Sequence, residues 1–132
     1  MKIHGEVATG LGKAAFFLSH VFYMKEFEKN LGFIPFPGTL NIVIDEKYLD
    51  EISDIKNSCQ NIIKPDNEFG AVKYIEATLN GKINGAIVFP AKTTHEETYL
   101  EFIAEIRLRD VLELVDGDIV SIEFKKKKKV EK

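Results

Sequence analysis

The stretch from Ala71 to Phe89 constrains the fold more than any other part of the chain. Two β-runs, Ala71 to Leu79 and Lys82 to Phe89, flank the dipeptide Asn80-Gly81. Asn-Gly is the preferred pair for a tight two-residue hairpin, so the two runs read as neighbouring antiparallel strands, and Pro90 closes the second. Apolar residues alternate in four further segments: Ile3, Gly5 and Val7 within Lys2 to Ala8; Leu40, Ile42 and Ile44; Leu100, Phe102 and Ala104; and Ile119 to Phe124. A period of two is the mark of a strand with one face buried. Roughly six short strands with two or three short helices predict a mainly β fold, a small closed barrel that leaves no sheet edge exposed.

The helices are short. Phe27 and Leu31 share a face in Tyr23 to Leu31, and Gly32 supplies the stop. Tyr48, Leu49, Ile52 and Ile55 predict a helix in the otherwise poorly patterned Glu46 to Asp66, and Leu108, Val111 and Leu112 another over Arg107 to Leu114. Ala15 to Val21 is open between strand and helix. Pro35 to Gly38 and Asp116-Gly117 read as turns.

Composition narrows the function classes. The 132 residues are 45% hydrophobic and 30% charged, which suits one folded domain, assigned to residues 1–124, with 125–132 a lysine-rich tail. A net charge of -3 excludes polyanion binding by bulk electrostatics, so any phosphate site must be a local cluster. The five lysines Lys125 to Lys129 lack interleaved aromatics or arginines; they read as a solvated terminus, and no nucleic-acid partner is expected. Cys59 is the single cysteine, which excludes an intramolecular disulfide and a cysteine-rich zinc site. His4, His20 and His95 have no clustered acidic or cysteine partners, and no serine–histidine pair supports hydrolase chemistry. No apolar run approaches the ~20 residues of a membrane span, and the N-terminus lacks a signal-peptide apolar region, so a cytoplasmic monomer is expected.

Three groups of residues bear chemistry. Gly10-Leu11-Gly12-Lys13 follows a strand; glycines allow backbone N–H groups close to phosphate oxygens, and lysine adds charge. The run lacks the third glycine of a dinucleotide fingerprint and the ending of a P-loop, so on its own a strand-connecting turn accounts for it better. Thr39 and Asn41 point to one face if Thr39 to Ile44 is a strand, with Leu40 and Ile42 facing the core. Two neutral oxygens after a rigid turn suit a hard cation such as Mg²⁺, though spacing alone fits an exposed strand face. Arg107 and Arg109 bring two cations close together, and arginine matches phosphate through its planar fork of donors; on the residues alone, solvent-exposed charge with local pairing to Asp110 is the default reading.

Taken together, the segments resemble a known family. Gly5-Glu6-Val7 with Gly10-Leu11-Gly12, then Leu31-Gly32-Phe33 through Pro35 to Gly38-Thr39-Leu40-Asn41, then Gly85-Ala86-Ile87-Val88 with Pro90, are similar to the archaeal CTP-dependent riboflavin kinases. The likeness continues through Lys92-Thr93 and Arg107-Leu108-Arg109 to Asp116-Gly117-Asp118 and is poorest over Glu46 to Asn67. It implies a six-stranded cradle-loop β-barrel that moves the γ-phosphoryl group of CTP to the 5′-hydroxyl of riboflavin, giving FMN and CDP. Some members add an N-terminal winged helix-turn-helix; this chain starts at the first barrel strand, so none is expected.

Carried over position by position, the resemblance implies that Gly10, Leu11, Gly12, Lys13, Ala14 and Ala15 form the nucleotide-binding loop, with Ile106, Arg107, Leu108 and Arg109 the second nucleotide-contacting segment. It makes Thr39 and Asn41 ligands of one Mg²⁺ that arrives with the nucleotide. Thr93 and Glu101 become flavin contacts, and Glu101 the carboxylate to act as base or hydroxyl orienter. Ala14 departs from the family, which usually has a third glycine there, and this puts nucleotide affinity and base preference in question. A non-catalytic flavin- or nucleotide-binding barrel and a DNA-binding relative are the competing readings, since fold does not fix function.

Overall fold

The structure is a computed structural model; it describes residues 2–9, 18, 20–64, 71–90 and 98–125. Strand β1 (Lys2–Ala8) is followed by helix α1 (Val21–Leu31), strand β2 (Leu40–Ile44), a 3-10 turn (Glu46–Tyr48) and helix α2 (Leu49–Ser58). Then come β3 (Ile62–Ile63), β4 (Val72–Leu79), β5 (Ile83–Pro90), β6 (Tyr99–Ile103), the single-turn helix α3 (Leu108–Val111) and β7 (Ile119–Phe124).

The expected hairpin joins β4 and β5 over eight register pairs, from Val72↔Pro90 to Leu79↔Ile83. Its turn carries positive φ at both Asn80 (52°) and Gly81 (67°), as a two-residue connection requires. From β5 the sheet runs through β6, β2, β1 and β7, every pairing antiparallel, and β7 returns to β4 through Ala77↔Phe124 to Leu79↔Ile122. Six strands thus close a barrel with no free edge among them. The two-residue β3 is an addition that the sequence does not announce; it shares the β7 edge of β4, at the opposite end.

Alternation builds the interior. Ile3 and Val7 of β1, Leu40, Ile42 and Ile44 of β2, Leu100 and Phe102 of β6, and Val120, Ile122 and Phe124 of β7 all point inward. Ile52 of α2 joins the same cluster. A second cluster lies outside the wall, where Tyr23 and Phe27 of α1 cover Val72, Tyr74, Ala86, Val88 and Ile103. Half of the wall is therefore buried on both faces. That is why Ala86 to Val88 and Leu100 to Ala104 read as near-continuous apolar runs. At Gly85 the wall is tightest: a Cβ there would meet the Phe102 ring at 2.6 Å and also the Ile103 carbonyl oxygen. Only glycine lets Phe102 lie flat across that strand.

Two expectations need adjustment. The helix read over Arg107 to Leu114 is a single turn, Leu108–Val111, because Glu113 adopts φ 52° and the Leu114 N–H turns back to the Arg109 carbonyl. Helix α1 begins two residues earlier than its apolar spacing suggests, at Val21.

Candidate functional site

Register brings Asn41 and Glu101, two of the proposed site residues, onto one face. Tyr74, Val88, Glu101, Asn41 and Ala8 are successive Cα partners across β4, β5, β6, β2 and β1. Directly paired residues point to the same side of a sheet, so these five form one row on the outer wall. Tyr74 and Val88 lie beneath α1, while Asn41 is half-buried. Glu101 stands between Val88 and Asn41 in the row. Among the described residues it is the one buried charged or polar side chain, at 1% exposure.

A carboxylate so buried needs polar company. Thr39 supplies some: it stands two residues before Asn41, and its Oγ1 donates to Glu101 Oε1 at 3.3 Å. Thr39 and Glu101 thus bring oxygens together, with Asn41 paired beside Glu101 on the same face, a donor set suited to a hard cation or to the hydroxyl of a substrate. Among the described residues no three histidine, cysteine, aspartate or glutamate side chains converge as a metal cluster. Neutral oxygens such as those of Thr39 and Asn41 would hold a bare dication weakly and one carried by phosphate better.

Thr39 also opens onto a cleft of about 200 Å³. Phe36, Gly38, Thr39 and Leu40 line it from the β2 side, and Ile106, Arg107, Leu108 and Arg109 from the segment entering α3. The Phe36 N–H donates to the Ala104 carbonyl at 2.7 Å and so holds these segments together. A space of this size accommodates part of a nucleotide rather than all of one. A larger cleft of about 440 Å³ lies against the β4–β5 hairpin, but Ile106 is the only proposed site residue on it.

The two arginines differ in their surroundings. Arg107 Nη1 donates to both carboxylate oxygens of Asp110, at 2.9 and 3.0 Å, in an exposed pair. Arg109 is more enclosed; its Nη2 donates to Asp116 Oδ1 at 2.6 Å and to the Ala8 carbonyl at 3.0 Å. Leu108 between them is buried and anchors the segment. Gly10, Leu11, Gly12, Lys13, Ala14, Ala15 and Thr93 lie outside the described residues, as do Lys126 to Lys132. The chain nevertheless enters the first of these stretches from Ala8 and Thr9, beside Arg109. In the sequence Asp116 reads as half of a turn and as part of the family likeness; its link to Thr9 spans 107 positions, which no local pattern reveals.

Fold and site define a closed antiparallel barrel with an oxygen-rich face beside an arginine-bearing cleft. A model for CTP-dependent riboflavin kinases, described as the domain of unknown function DUF120, matches residues 7–124. The riboflavin kinase of Methanobrevibacter smithii is 66% identical over 124 residues, which is 94% of this chain and 100% of the relative. That of Methanothermobacter thermautotrophicus is 43% identical over 116 residues, 88% of this chain and 93% of the relative. A third, from Pyrobaculum aerophilum, is 41% identical over 129 residues, 94% of this chain but 60% of the relative's longer sequence. The chain belongs to the archaeal CTP-dependent riboflavin kinase family. Among the described residues no helix is long and apolar enough to cross a membrane.

Proposed function

We propose that this protein transfers the γ-phosphoryl group of CTP to the 5′-hydroxyl of riboflavin, releasing FMN and CDP. The observation that carries the reading is the outer-wall row, with Asn41 and Glu101 side by side, Thr39 bonded to Glu101, and Ala8 leading towards the glycine loop. The name of the matching family and the riboflavin kinases named among its relatives support the substrates.

Phosphoryl transfer asks a protein mainly to position its substrates and to balance charge. Gly10 to Ala15, with Lys13, would hold the polyphosphate from the end of β1, and Ile106 to Arg109 would hold the nucleotide across the cleft. Glu101, with Thr93, would contact the flavin, orient its 5′-hydroxyl and accept the proton as the oxygen attacks phosphorus. Its burial keeps water from that carboxylate and strengthens its interactions. One Mg²⁺ held by Thr39 and Asn41 would arrive with the nucleotide and offset the charge of the transferring group. The enzyme is proposed to act in the cytoplasm as a monomer. Incubation with riboflavin, CTP and Mg²⁺, followed by chromatography for FMN, tests the reading. Binding of both ligands without FMN would leave only a flavin- and nucleotide-binding barrel.

A further inference from the structure

Asp116 belongs to none of the groups assigned above. Its carboxylate is shared between two distant partners: Oδ2 accepts the Thr9 hydroxyl at 2.6 Å, and Oδ1 accepts Arg109 Nη2 at 2.6 Å. The same Nη2 donates to the Ala8 carbonyl at 3.0 Å. Thr9 is the residue before Gly10, and Arg109 closes the Ile106 to Arg109 segment. One carboxylate thus joins the end of β1 to a segment about a hundred positions away.

The carboxylate is held in place by its own backbone. The Gly117 N–H donates to the Val7 carbonyl and the Val7 N–H to the Asp118 carbonyl, each at 2.8 Å, which stitches the turn onto β1. The Val115 N–H donates to Asp118 Oδ2 at 2.9 Å and closes the turn on itself. Asp116 therefore meets Thr9 and Arg109 from a fixed base. Two protein acceptors on Nη2 set the plane of the guanidinium, and the rigid fork then sets where Nε and Nη1 point.

Exposure separates this role from a structural one. The Arg109 and Asp116 side chains are 31% and 53% exposed, and ion pairs in that range add little to global stability. The consequence of the geometry falls on the neighbouring site instead. We propose that Asp116, assisted by Thr9, is a positioning residue for the nucleotide: it orients Arg109 and fixes the end of β1, at Ala8 and Thr9, against the Ile106 to Arg109 segment. The proposal rests on the nucleotide reading of Gly10 to Ala15 and Ile106 to Arg109.

Calorimetric titration of the full chain with CDP and, separately, with FMN tests it on Asp116→Asn, Thr9→Val, Arg109→Gln and the Asp116→Asn/Arg109→Gln double variant. Asparagine keeps the shape but presents one acceptor and one donor group where two acceptors are needed. The expected result for Asp116→Asn is a CDP dissociation constant raised about tenfold, as for a lost charge-assisted hydrogen bond. FMN affinity should stay within about twofold and the melting temperature within a few degrees. The double variant should lose hardly more than its worse single variant, because both act through one contact. If Asp116→Asn folds poorly, Thr9→Val carries the test, since it removes one hydroxyl and leaves the turn intact; it should weaken CDP about threefold. Unchanged CDP affinity in the folded variants, equal losses for CDP and FMN, or additive losses in the double variant would overturn the proposal. Failure of the parent to bind CDP at all would instead reject the nucleotide reading beneath it.

Discussion

Exchanging Glu101 for glutamine replaces one oxygen by an amide nitrogen at the centre of the outer-wall row. The side chain is 1% exposed, with Val88 on one side, Asn41 on the other and the Thr39 hydroxyl against Oε1. Glutamine fills the same volume and still offers an oxygen to Thr39, so packing and that hydrogen bond survive. Burying an ionised carboxylate costs several kcal/mol before its partners offset it, and the neutral amide avoids that cost. The net change in folding stability should lie within about 1 kcal/mol, a shift of roughly 5 °C or less for a domain of this size. Turnover should respond very differently. A group that orients and deprotonates a nucleophile contributes about 10²–10⁴-fold, or roughly 3–5 kcal/mol of barrier. Steady-state FMN formation at saturating CTP and riboflavin, beside a melting curve, separates the two effects. The expected outcome is kcat lowered at least a hundredfold with the fold intact. A kcat within threefold of the parent would refute the assignment of Glu101 to the chemistry.

Other consequences follow from the same geometry. Asn41→Leu removes the oxygen neighbouring Glu101 but little volume; a magnesium titration of FMN formation should show turnover about a hundredfold lower, equivalent to ~3 kcal/mol, with thermal stability nearly unchanged. Gly85→Ala drives a Cβ into the Phe102 ring and the Ile103 carbonyl, so chemical denaturation should show a loss of about 1–3 kcal/mol without a specific effect on either ligand. The Thr9 hydroxyl, and after it the Arg109 guanidinium, hold the Asp116 carboxyl below its ordinary value of 3.8. A folded-state value below the unfolded one gives stabilisation that is complete above about pH 3.8 and is lost as pH falls through the lower value. Any melting difference between the parent and Asp116→Asn should therefore be constant between about pH 5 and 8 and close only in stronger acid.

Much of the barrel is legible because strand alternation and turn chemistry are local. Asn80-Gly81 marks its hairpin without help from the rest of the chain, and Lys2 to Ala8, Leu40 to Ile44 and Ile119 to Phe124 declare their inward faces by period alone. The outer layer is harder to read. Ala86, Val88 and Ile103 are buried because α1 lies over them, a fact set by tertiary packing that periodicity does not encode. The two-residue β3 is too short to carry a pattern, and α3 ends where Glu113 takes a left-handed conformation that its residue type does not advertise.

The site is less legible than the barrel for a related reason. Thr39 and Asn41 share a face by simple alternation, so their partnership is visible locally. Their meeting with Glu101 depends on the pairing of β2 with β6, sixty residues apart and arranged by closure of the whole barrel. Glu101 itself stands among Leu100, Phe102 and Ile103 with nothing nearby to mark it as functional; only the family resemblance singles it out. Asp116 is the converse case. Its neighbour Gly117 announces a turn, while the contact with Thr9 comes from the pairing of the first strand with the last.

In the proposed reaction the γ-phosphoryl group of CTP reaches the flavin in one transfer. CTP carrying an isotopic label in its γ-phosphate, incubated with riboflavin, Mg²⁺ and the purified protein, tests this directly when the FMN formed is isolated and its mass or radioactivity measured. The expected result is one labelled phosphate per FMN and unlabelled CDP in equal amount, with ATP, GTP and UTP at the same concentration giving less product. Unlabelled FMN, or faster formation from ATP than from CTP, would contradict the claim.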